Sequence, residues 1–164
     1  MKLRAWALAA APSLLLASTA LAQPAAGVLR IGSVYQDIGT LDPQFAVGSN
    51  DRIPSSWIYS ALVRFKPGTI SPAEIEPDLA ERWEASADKL TWTFHLRHGV
   101  QFHAGYGELT SEDVVYSLRK AADAKTSAFA ADFASVAAID AVDPYTVKIT
   151  FKQVIPSVPG LLTN

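Results

Sequence analysis

Cysteine is missing from the 164 residues. The fold therefore has no disulfide staple, and the paired thiolates of structural zinc sites are excluded as well. Histidine is scarce, and its three copies, His95, His98 and His103, all fall in one stretch, TWTFHLRHGVQFHAG. Such a cluster invites a metal or acid/base reading, yet no HExxH spacing accompanies it. Successive side chains of a strand point to opposite faces, so His95 and His98 diverge, and His103 lies beyond a turn. The histidines are accordingly assigned to polar faces and turns, and no metal is expected. The sequence has no G-x-S-x-G, so a serine hydrolase lacks its usual support. Gly105-Tyr106-Gly107 lacks the third glycine of a dinucleotide cradle, and what precedes it does not open a βαβ unit. Glu74, Glu76 and Asp78 around Pro77 read as a solvated loop edge. On these grounds no catalytic residue and no cofactor is assigned.

Long runs of one charge sign are also missing. Without Lys2 and Arg4, 12 of the 14 basic residues remain against 16 acidic ones. That mild negative charge argues against nucleic acid or an anionic membrane surface as partner. Only one apolar run stands out, and it is too short for a permanent membrane anchor. It is AWALAAAPSLLL, preceded by the basic MKLR and followed by ASTALA, with Ala20 and Ala22 in the A-x-A pattern of a signal-peptidase site. Cleavage is expected between Ala22 and Gln23, which makes residues 1–22 a signal peptide and the mature chain a soluble, periplasmic one. A domain of this size buries roughly 68–70% of its unfolded surface, so a core can do without disulfides. The apolar ending VIPSVPGLLTN reads as the start of another element, and a truncated chain is expected.

VLRIGSVY, residues 28–35, reads as a strand with imperfect alternation, and QDIGTLDPQ as a loop marked by Gly39 and Asp42-Pro43. SSWIYSALVRF, residues 55–65, spaces Trp57, Ile58, Ala61, Leu62 and Phe65 along one helical face, which predicts a helix. KPGTISPAEIEP is loop, and DLAERWEAS a short turn or helix. From Thr91 to Arg97 the alternation has a period of two, which predicts a half-buried strand with Trp92, Phe94 and Leu96 inward. Val100 and Phe102 continue the buried side after a turn at His98-Gly99, as a tight hairpin or a bent pair of short strands. Thr110 with Asp113 three residues on forms a capping box for a helix that carries Val114, Val115, Leu118, Ala121 and Ala122 on one face. SAFAADFASV is expected to form a second helix. VAAIDAVDPYTVKITF reads as two strands joined at Asp143-Pro144, with Val147, Ile149 and Phe151 on one face. Strands and helices without regular βαβ alternation point to an α+β fold.

Taken in order, LDPQ after a first strand, YSALVRF, EPDLAERWEASADKLTWTFHLRHGVQFH, LTSEDVVYSL and VDPYTVKITF resemble the N-terminal part of the extracytoplasmic solute-binding proteins of the peptide, dipeptide and nickel class. The resemblance runs from residue 28 to residue 151. It implies the first strand and loop of a periplasmic-binding-protein type II lobe over residues 23–46, then a small additional α+β domain over residues 47–164. It further implies a monomer without enzymatic activity that captures a di- or oligopeptide or a related small solute and passes it to the membrane permease of an ATP-driven importer. The positions that match the family's ligand contacts are Tyr35 and Asp37 at the end of the first strand, then Val47, Ser49 and Asn50 after the LDP motif. Tyr35 offers an amphipathic surface, Asp37 an acceptor for an ammonium group, and Ser49 and Asn50 partners for peptide carbonyls or amides.

The family's usual Asp-Gly after Phe102-His103 is replaced by Ala104-Gly105, so the loop is expected to keep its turn and to lose one acidic contact. The family's members are about three times longer, and their second lobe supplies the other wall of the cleft. Residues 23–164 alone are therefore expected to bind little. The competing readings are a secreted hydrolase acting on peptides or glycans and a non-binding remnant.

Overall fold

The computed structural model describes residues 27, 28, 32 and 37–163. The chain divides into residues 1–34 and 35–164, and every element named below belongs to the second unit. The leader boundary at Ala22 and Gln23, Tyr35, and most of the strand expected at 28–35 lie outside the described residues.

The centre of the unit is an antiparallel sheet of four strands, β3 (Ala80–Ala85), β4 (Thr91–Leu96), β5 (Val136–Asp143) and β6 (Thr146–Phe151), in the order β3-β4-β6-β5. Two hairpins, β3-β4 and β5-β6, are joined through the β4–β6 pair, which places Phe94 opposite Val147 and Trp92 opposite Ile149. The period-two pattern places Phe94, Leu96, Val147, Ile149 and Phe151 on one face, where all are buried. Over that face lies α2 (Ser111–Ala122), which packs on β5 and β6 and contributes the buried Val114, Val115 and Ala121. A short helix, α3 (Val158–Leu161), adds Val158 and the following Leu162 to the same core. The opposite face of the sheet is polar, with Glu84, Thr93, His95, Thr146 and Lys148 in adjacent register positions.

The first part of the unit is smaller. Helix α1 (Ser49–Ile58) leads to a two-stranded ribbon of β1 (Val63–Phe65) and β2 (Ile75–Pro77). Backbone bonds from Leu79 N to Ala61 O and from Ala80 N to Leu62 O carry the ribbon into the start of β3.

The helix read over residues 55–65 is displaced. It runs from Ser49 to Ile58 with Pro54 inside it, and leaves Trp57 64% and Ile58 44% exposed. Tyr59 is already extended, and Ala61 N donates to Asp78 Oδ2, so Leu62, Val63 and Phe65 enter the ribbon instead of a helical face. DLAERWEAS, read as a turn or short helix, is strand β3. Its helix-forming Glu81, Arg82 and Glu84 are overruled by pairing with β4, which sets Trp83 opposite Phe94. Charged outward residues also suit an edge strand. The hairpin expected after His98-Gly99 does not form. β4 pairs with β3 and β6, and Gln101 bridges back to Glu108. Phe102, expected on the buried side, is 40% exposed. Of the second helix only a 3-10 turn, Ala130–Phe133, is present.

The loop between β4 and α2 keeps its turn through a 3-10 stretch, His103–Gly105, in which Ala104 takes φ 57°. An L-residue other than glycine is strained there. Ala104→Gly should relieve about 1–2 kcal/mol of left-handed strain, lose about 0.5–1 kcal/mol to the freer unfolded chain, and raise stability by about 0.5–1 kcal/mol. A urea midpoint below that of the parent chain would contradict this.

Candidate functional site

The candidate contacts lie on residues 37–50, which have no regular structure before α1 begins. Asp51 organises this loop. Its Oδ1 accepts from the backbone N–H of Gly39 at 2.7 Å and of Thr40 at 3.2 Å, which folds the chain back on the start of α1. Asn50 donates its side-chain amide to the carbonyl of Asp37 at 3.2 Å, so these two candidates meet directly. Val47 is 63% exposed, and Ser49, in the first turn of α1, is exposed as well. The structure thus gathers Asp37, Val47, Ser49 and Asn50 at one turn. The side-chain amide nitrogen of Asn50 also lies 3.5 Å from Asp51 Oδ1, so its donors face the loop and what it offers a solute is its acceptor oxygen. A Cβ on Gly48 would lie 2.6 Å from that oxygen, so a larger residue there would push the Asn50 side chain aside.

The LDPQ motif is the second organising element. Asp42 Oδ1 accepts from Gln44 N at 3.0 Å, and Oδ2 receives the Lys120 ammonium of α2 at 2.7 Å. The hydrogen bond from Lys120 holds the Asp42 carboxyl below its ordinary pKa, assisted by Gln44 N and opposed by partial burial. Gln44 Oε1 accepts from Ser127 Oγ at 3.3 Å, and its backbone carbonyl accepts from Ala128 N at 2.9 Å. The sequence pattern does not single out Asp51 or Lys120, and gives Gln44 only as the last residue of LDPQ. Only the motif itself points to this region, and nothing in its spacing names a lysine 78 residues away.

Beside this loop a groove of ≈ 860 Å³ runs between α1, α2 and the chain around Leu161, lined by Ala46, Ile53, Ser55, Leu118 and Phe133 among others. None of Asp37, Val47, Ser49 and Asn50 lines it. The histidines are dispersed. His95 Nε2 faces Glu84 Oε1 at 2.9 Å on the polar face of the sheet. The His98 ring lies 3.8 Å from that of Tyr145. His103 sits exposed in the 3-10 turn. Glu108 closes the base of that loop, accepting from Gly99 N at 2.6 Å and from the Tyr145 hydroxyl at 2.9 Å, contacts that lower its pKa. Among the described residues, no group of three histidine, aspartate or glutamate side chains is arranged to hold a metal ion. No helix among them is long and apolar enough to cross a membrane.

Residues 74–164 match the model of the bacterial extracellular solute-binding proteins, family 5 (middle). The chain belongs to this family. Its mixed α/β fold is that of the periplasmic binding proteins, of which it covers a part. The family-5 chain is 37% identical over 131 residues to the probable D,D-dipeptide-binding periplasmic protein of Escherichia coli K12, an alignment that covers 77% of this chain and 24% of that protein. Among solved structures, it superposes with a TM-score of 0.74 and 52% identity on the binding protein MoaA of A. tumefaciens R10 in complex with mannopinic acid, over 76% of this chain and 25% of the other. With NikZ of Campylobacter jejuni, in complex with Ni(L-His), the TM-score is 0.68 and the identity 26%, over 77% and 24% of the two chains. The chain thus spans about a quarter of the length of these family-5 relatives.

Proposed function

We propose that the gene product is the extracytoplasmic solute-binding component of an ATP-driven importer, which captures a di- or oligopeptide or a related small solute and delivers it to a membrane permease. The observation that carries this reading is the turn at which Asp37, Val47, Ser49 and Asn50 come together, set on a family-5 fold. An exposed carboxylate, a hydroxyl and a free amide oxygen on one turn suit a small polar solute with ammonium or amide donors. We read this capture as binding without covalent chemistry, as the names of the family-5 relatives as binding proteins support. Capture would proceed by closure around the solute, driven by its higher affinity for the closed form.

The same reading divides the chain into a cleaved leader over residues 1–22, the first strand and loop of the ligand lobe over 23–46, and a small α+β domain over 47–164. Export through the leader would place the protein in the periplasm, where it would act as a monomer with Tyr35 as a further contact.

The test is the melting temperature of the gene product, isolated as it is exported and measured against di- to tetrapeptides including trialanine, nickel–histidine and opines. A solute at a hundredfold excess over its Kd stabilises by about 2.7 kcal/mol, which corresponds to a rise on the order of 10 °C for a domain of this size. A panel that leaves the melting temperature unmoved would count against solute capture.

A further inference from the structure

The turn that carries Asp37, Val47, Ser49 and Asn50 has little structure of its own, so its shape depends on what holds it. At the α1 end the Asp51 carboxylate collects the Gly39 and Thr40 amides. At the other end the hold comes from far along the sequence. Lys120 Nζ, in the last turn of α2, sits 2.7 Å from Asp42 Oδ2, and the opposite oxygen of the same carboxylate accepts from Gln44 N. The Ser127 hydroxyl and the Ala128 amide then hold Gln44 from the segment just beyond α2. The Arg52 guanidinium, one residue past Asp51, lies 5.9 Å from the centre of the Phe129 ring in that segment. One end of the turn is thus tied to α1, and the other to α2, which packs on β5 and β6, and to the segment that follows it. The Asp42 side chain joins the LDPQ bend to α2 through a single ammonium group.

We propose that Lys120 is a positioning residue for solute capture: by holding Asp42 it fixes the course of the chain from Asp37 to Asn50. The proposal rests on the solute-binding function put forward above. It also gives α2 a part in solute affinity, although no side chain of that helix is among the candidate contacts. A lysine suits the task because its ammonium is a compact charge with three donors, enough to bind the carboxylate and still meet solvent at a half-exposed site. Methionine in its place keeps the stem and removes the charge. The Asp42 carboxylate then faces α2 without its partner, and the bend loses its strongest tie.

Hydrogen–deuterium exchange on the exported gene product, read by mass spectrometry over residues 37–51, tests the latch without any solute. Lys120→Met should speed exchange there about tenfold, the scale of one lost charge-assisted hydrogen bond, and leave β4 and β6 unchanged. Lys120→Arg should restore most of the protection. Asp42→Asn should act like Lys120→Met and add nothing in the double variant, as coupled partners do. Calorimetric titration with trialanine should then show affinity about tenfold weaker in Lys120→Met and recovered in Lys120→Arg. Unchanged exchange over residues 37–51 in Lys120→Met overturns the proposal. Faster exchange with wild-type affinity for trialanine overturns it too. A wild-type protein that ignores trialanine speaks against the functional reading for that solute, and the exchange comparison alone then decides for or against the latch.

Discussion

Phe94→Ala is expected to cost about 3–5 kcal/mol of stability, the range of the most damaging core truncations. Phe94 is fully buried at the centre of the sheet, opposite Trp83 on one neighbouring strand and Val147 on the other. Its ring stacks on that of Trp83 with centroids 6.5 Å apart. Three strands, β3, β4 and β6, meet at this position within the buried cluster, so little can collapse into the void, and a cavity term adds to the lost transfer energy. Phe102 is the control. At 40% exposure its truncation should cost far less. Urea unfolding of the two variants decides the matter, and a loss below about 1.5 kcal/mol at Phe94, the range of a single-methylene deletion, would mean that the core is not organised around it.

Asp113→Ala ranks next, at about 1–2 kcal/mol. The Asp113 carboxylate accepts from both the backbone N–H and the hydroxyl of Thr110, each at 2.8 Å, and closes the first turn of α2. Negative charge there also meets the positive end of the helix dipole, to which Glu112 contributes as well. The consequence reaches past the cap. Ser111, 1% exposed, donates from its backbone to Pro144 O and from its hydroxyl to Asp143 O, so this end of α2 is also the joint with the β5–β6 turn. Asp113→Asn, which retains an acceptor, should lose less than Asp113→Ala. Equal losses for the two variants would assign the effect to charge and not to the cap.

These two predictions involve the parts of the molecule that can be read directly from sequence. The alternation of Trp92, Phe94 and Leu96 identifies β4, the Asp143-Pro144 break separates β5 from β6, and Thr110 with Asp113 marks where α2 begins. In each case the local pattern and the tertiary contacts ask for the same structure. Residues 55–65 are different. A short apolar run fits a helix or a strand, and long-range pairing of Ala61 and Leu62 with Leu79 and Ala80 decides for the strand. β3 escapes a local reading because Glu81, Arg82 and Glu84 favour helix, while their outward positions on an edge strand can be recognised only once β4 is beside them.

The candidate site is legible as a list of positions but not as an arrangement. The family pattern names Tyr35, Asp37, Val47, Ser49 and Asn50 as candidates. That Asn50 spends its amide on Asp37, and that Asp42 is held by a lysine from α2, depends on contacts between segments far apart in sequence.

The strand order β3-β4-β6-β5 also bears on how the unit assembles. Each hairpin closes over a handful of residues, whereas bringing β4 to β6 must span the whole stretch that contains α2. The loop-closure entropy for a tenfold longer connection is about 2 kcal/mol greater, which slows that encounter relative to the zipping of either hairpin. The two hairpins are thus the early products and their junction the late one. Phe94 and Val147, which face each other across that junction, become fully buried only when the slow step is complete.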